Sequence, residues 1–71
     1  MLSMREEEQE LRYNQKNAIF LQVEQRPPQQ RNKAAYTTFK RLHMRLQEKV
    51  RLSGRLSEQD LVALEYVAEL V

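Results

Sequence analysis

Apolar positions recur at helical spacing in the second half of this chain and more diffusely in the first. Between about 29 and 52, Ala35, Tyr36, Phe39, Leu42, His43, Leu46 and Val50 fall on one helix face. Every other position there is polar except Ala34, Met44 and Leu52. From about 58 to 71, Leu61, Leu64, Val67, Ala68 and Val71 make a second face, but Val62 and Tyr66 lie opposite it, with Ala63 and Leu70 between. From about 4 to 25 two stripes appear: Met4, Leu11, Ala18 and Leu21 on one side, Tyr13, Phe20 and Val23 on another. The stretch Asn17–Val23, "NAIFLQV", is apolar on several sides and taken alone reads as a short strand. No partner strand exists for it, and an isolated strand leaves its backbone unpaired, so helix is the better reading.

Breakers agree with three segments. The only glycine is Gly54 and the only prolines are Pro27 and Pro28. Proline drives the residue before it out of helical geometry, which places a hinge at about 24–29; either proline can also sit near the start of the next helix. Gly54 suits the left-handed stop after a helix. Ser3-x-x-Glu6 and Ser57-x-x-Asp60 are capping patterns ahead of the first and third segments, and acidic residues follow each cap where the helix dipole favours them. The predicted fold is all-α: a small three-helix bundle, or a helical hairpin with an extra helix, completed by dimerisation.

Size motivates the dimer. A chain of 71 residues is one domain, and a core that small supplies only about 3–5 kcal/mol. With no cysteine, disulfides and thiolate metal sites are excluded, so a partner is the stabiliser left. A helix apolar on two faces is normally sandwiched between neighbours, and three helices are too few to sandwich two of their own. The surplus marks Leu11, Asn14, Phe20, Leu21, Val62, Tyr66 and Leu70 as the expected partner surface. Asn14 interrupts the Leu11–Ala18 stripe, as a register-setting polar residue in a seam does. The expected partners are a second copy, a larger protein, or both.

Charge complicates this. Residues 1–25 hold three bases against five acids, 26–55 hold nine bases against Glu48 alone, and 56–71 hold four acids and no base. The basic middle offers a second reading, a nucleic-acid-binding protein or transcriptional regulator with Arg26, Arg31, Lys33, Lys40, Arg41 and Arg45 on phosphates. Yet the wheel scatters these charges around the Phe39 stripe, leaving only Arg41 well round the back, and flanking charges are where neighbouring helices pair. Glu58, Glu65 and Glu69 beside the third apolar face are the expected counterparts. A helix–turn–helix across "RLSGRLS" is rejected, because its recognition helix would be acidic.

Catalytic chemistry is not expected. His43 sits alone on an apolar stripe, one glycine makes no phosphate loop, and the Glu6–Glu10 run is a solvated helix start rather than a metal cage. "RPPQ" lacks polyproline-ligand spacing, and the hydroxyls of Ser3, Thr37, Thr38, Ser53 and Ser57 have no base beside them. No metal, cofactor or small-molecule substrate is called for. No stretch approaches a membrane span, the N-terminus turns acidic where a signal peptide needs an apolar core, and no glycosylation sequon occurs. The expectation is a cytoplasmic regulatory or adaptor module working through protein–protein contact.

Overall fold

A computed structural model describes residues 3–71 and contains three α-helices: α1 (Met4–Glu24), α2 (Lys33–Ser53) and α3 (Glu58–Leu70), with a 3-10 turn at Pro28–Gln30. The fold is an all-α bundle, and the described residues include no strand; "NAIFLQV" lies wholly inside α1. The caps follow from side-chain chemistry. The Ser3 hydroxyl accepts the Glu6 N–H, and Ser57 with Asp60 completes a reciprocal capping box. Gly54 takes φ +68° and ends α2, a conformation that would strain a side chain.

The second helix starts later than the prolines suggest. Pro28 opens the 3-10 turn, Arg31 returns to extended backbone, and Asn32 then caps α2, its side chain accepting the Ala35 N–H. The prolines therefore shape the connection and leave helix initiation to Asn32.

Cross-links fix the directions. Lys16 meets Gln47 and Glu24 meets Lys40, so α1 and α2 run antiparallel. The Asn32 N–H donates to the Val71 carbonyl at 2.8 Å, joining the start of α2 to the end of α3, which is antiparallel to it. Arg12 reaches Leu56 and Arg26 reaches Ala68, so α3 runs alongside α1 in the same sense.

The core comprises Ile19 and Val23 of α1, Phe39 and Leu46 of α2, Leu56 of the connection, and Leu61, Leu64, Ala68 and Val71 on or just after α3. Both α2 and α3 bury the faces their periodicity predicts. On α1 the buried side is the stripe of Tyr13, Phe20 and Val23, widened by Lys16 and Ile19, while Met4, Leu11, Ala18 and Leu21 face outward. Leu56, fully buried, precedes the Ser57 cap and packs in the same cluster as Leu61, four residues into α3. This is a hydrophobic staple, and it sets the angle at which the chain enters the helix.

Candidate functional site: the outer face of α3 and the basic face of α2

Most of the bases have internal work. The Arg26 guanidinium donates to the Ala68 carbonyl at 3.1 Å, and Arg31 donates to the Glu24 carbonyl at 2.6 Å while its charge lies 4.7 Å over the Tyr36 ring. Lys40 pairs with Glu24 at 3.5 Å and sits over Phe20 and Tyr36. Tyr36 donates its hydroxyl to the same carboxylate at 2.8 Å. That hydrogen bond, together with the neighbouring cations Lys40 and Arg31, holds Glu24 below the usual glutamate range despite the opposing effect of burial. Three of the six candidate phosphate contacts, Arg26, Arg31 and Lys40, are thus engaged within the bundle.

Among the described residues the third helix contributes one ion pair, and it is not the expected one. Lys49 contacts Asp60 at 3.1 Å. Burial pushes the Asp60 carboxyl up, but the Ser57 amide and hydroxyl and the Lys49 ammonium outweigh it, and the group titrates below its ordinary value. Among the described residues, no ion pair involves Glu58, Glu65 or Glu69. The acid that pairs with α2 is therefore the one already fixed by the capping box, whereas these three glutamates point elsewhere. Arg12 and Arg51 pair within their own helices, with Glu8 and Glu48.

What remains is a complementary set of unpaired features. On α2, Lys33, Arg41 and Arg45 are exposed and form no ion pair among the described residues. Met44 and Leu52 stand exposed on the same helix. On α3, Val62 (58% exposed), Tyr66 (64%) and Leu70 (52%) form an outward stripe at four-residue spacing. Glu58, Glu65 and Glu69 flank it, all exposed.

The remaining predicted surface residues are divided. Leu11, Asn14 and Leu21 are exposed on the outer side of α1. Phe20 is not part of an outer surface. Its ring stacks on His43 at 4.1 Å and lies 6.2 Å from Phe39, because Phe20 sits on the inward side of α1 with Lys16 and Val23.

Two buried polar groups accompany those rings. Lys16 is only 2% exposed, and its ammonium donates to Gln47 Oε1 at 2.6 Å and Asn17 Oδ1 at 2.9 Å with no carboxylate partner. Burial lowers its pKa. Burial likewise lowers that of His43, helped by the nearby Lys16 and Lys40 charges and opposed by Glu24. His43 Nε2 has no hydrogen-bond partner. His43 thus lies between Lys16 and Lys40 in a layer stacked on Phe20 and Phe39.

A depression of about 760 Å³ lies between the start of α1 and the Ser53–Ser57 connection. Arg5, Arg12 and Arg55 share it with Glu6, Glu8 and Glu10, so no single ligand charge is favoured. No group of three or more His, Cys, Asp or Glu among the described residues is placed to share a metal ion, and no helix is long and apolar enough to cross a membrane.

No known protein family matches this chain, and searches of curated proteins and of solved structures return no match. The functional reading therefore rests on the two exposed faces.

Proposed function

We propose that this protein is a small helical regulatory or adaptor module that acts by protein–protein contact, with a second copy or a larger protein as partner. The observation that carries the reading is the second apolar stripe of α3. Val62, Tyr66 and Leu70 are all more than half exposed in a bundle that already has a complete core on the opposite face. A helix face of that composition, aromatic at its centre and charged at its edge, is suited to helix-face recognition: the apolar anchors supply affinity and the glutamates orientation. Leu11, Asn14 and Leu21 offer a second, more polar face on α1.

Paired substitution tests it. Val62→Asp with Tyr66→Asp replaces exposed groups, so helicity and urea midpoint stay near those of the parent while association, followed by light scattering over a wide concentration range and by cross-linking, is lost. A parent protein that is a folded monomer and forms no cross-linked complex with any protein overturns the reading.

A nucleic-acid reading keeps one supporting observation, the unpaired Lys33, Arg41 and Arg45 on the outer side of α2. Three free bases give a shallow salt dependence, a slope of roughly −3 or less on a log–log plot for duplex DNA. Fluorescence anisotropy on DNA and RNA at two salt concentrations, with Arg41→Glu as the control, separates this from protein contact.

A further inference from the structure

Resting on the protein-contact reading, we infer that the first partner of α3's outer stripe is the exposed basic face of α2 in a second copy of this chain. The argument is charge complementarity left unused inside one molecule. Each bundle carries an acidic apolar face with no base in it, and a basic apolar face whose Lys33, Arg41 and Arg45 meet no acid among the described residues.

The spacings agree. Arg41 and Arg45 are one helical turn apart, as are Glu65 and Glu69, so each pair spans about 6 Å along its helix axis. Laid parallel, a single offset brings Arg41 opposite Glu65 and Arg45 opposite Glu69, with Lys33 within about one residue of Glu58. Met44 then falls between Tyr66 and Leu70, so the apolar groups meet under the same register. Within the paired span, 33–47 against 57–71, like charges do not face each other. The α3 stripe placed against another α3 stripe sets Glu58, Glu65 and Glu69 against their own copies, which is unfavourable.

One copy's α3 meets another copy's α2, and because the charges lie at an exposed rim the association weakens in high salt.

Charge exchange provides the test. Arg41→Glu with Arg45→Glu makes one protein acidic on both faces, and Glu65→Lys with Glu69→Lys makes another basic on both. Sedimentation velocity should find each variant monomeric, with self-association weakened at least about tenfold, and their equimolar mixture restored to the parent's association. Circular dichroism checks that both fold. A mixture that stays monomeric, or a charge-reversed protein that associates like the parent, overturns the pairing. If such association is lost instead in Val62→Asp/Tyr66→Asp, protein contact through α3 stands and only the α2 partner face falls. If those variants also associate normally, both fall.

Discussion

The two ends of the bundle are closed by different physics. At the α2–α3 connection, the plug is apolar: Leu56 is fully buried against the core, and α1 reaches over to satisfy the turn's backbone. Gln9 Oε1 accepts the Leu56 N–H at 2.8 Å, the Arg12 guanidinium donates to the Leu56 carbonyl at 2.9 Å, and the Tyr13 hydroxyl donates to the Gly54 carbonyl. At the α1–α2 hinge no residue from Glu24 to Thr38 is fully buried. To the buried Val23 and Val71 beside it, that end adds cations on carbonyl oxygens, Arg26 on Ala68 and Arg31 on Glu24, and the Asn32–Val71 backbone bond. The lesson is that a short turn with one leucine can be the stronger closure, because burial is not shared with water whereas a partly exposed hydrogen bond is.

Leu56→Ala should have the largest effect. Truncating a buried leucine costs about 2–5 kcal/mol, which is most of what a core this small supplies. The expected outcome is a protein largely unfolded, or with its urea midpoint near zero, by circular dichroism at 25 °C. A loss below about 1 kcal/mol would mean that the turn is held by its hydrogen bonds and that Leu56 is incidental.

Removing the hinge clamps should cost less. Arg31→Ala deletes a charge-assisted hydrogen bond and the stacking on Tyr36, for about 1–2 kcal/mol. Arg26→Ala, at a more exposed position, should cost about 1 kcal/mol or less. Either substitution matching Leu56→Ala in a urea titration would erase the contrast between the ends.

The turn was the less legible end in the sequence. Periodicity reveals a buried face when the apolar residues on it are consecutive in helical spacing, as Phe39, His43 and Leu46 are, or Leu61, Leu64 and Ala68. Leu56 lies in a four-residue connection with no period to join, and only its place just before the Ser57 cap marks it as a staple. The face of α1 was obscured for another reason. Its buried side carries Gln9, Arg12 and Lys16, whose polar ends are spent on Leu56 and Gln47, while Leu11, Ala18 and Leu21 lie outside. Composition alone weights those two sides the wrong way. Charge was half legible: the bases do serve the bundle, but Arg12, Arg26 and Arg31 do so by gripping backbone carbonyls, which carry no signature in a sequence.

Between the ends, the Phe20–His43–Phe39 layer should make stability fall in mild acid. The folded-state pKa of His43 lies below its ordinary 6.5, so the unfolded chain binds the proton first. Stability is full above about pH 6.5 and is lost as pH drops from there through the folded pKa. Glu24 and Asp60, both lowered, add their own loss only further down, below the ordinary carboxylate values of 4.5 and 3.8. His43→Phe should flatten urea midpoints between pH 7 and 5 and leave the steeper fall beneath pH 4.5 in place. An unchanged profile between pH 7 and 5 would remove His43 from the account of the middle layer.

Lys16 should give a small effect of opposite sign. Its ammonium is almost wholly buried, yet its partners are the amides of Gln47 and Asn17, both on exposed residues that water can serve instead. A cation held this way loses hydration without gaining a counter-charge, and an apolar side chain of similar length avoids that loss. Lys16→Met should therefore raise stability by about 1 kcal/mol at pH 7. The gain should shrink as pH rises toward the ordinary lysine value of 10.5, since the lowered folded-state pKa lets native Lys16 shed its proton first and recover the difference. A destabilised Lys16→Met would instead show that the Lys16–Gln47 bond ties α1 to α2, and the polar clamps would then extend from the hinge into the middle of the bundle.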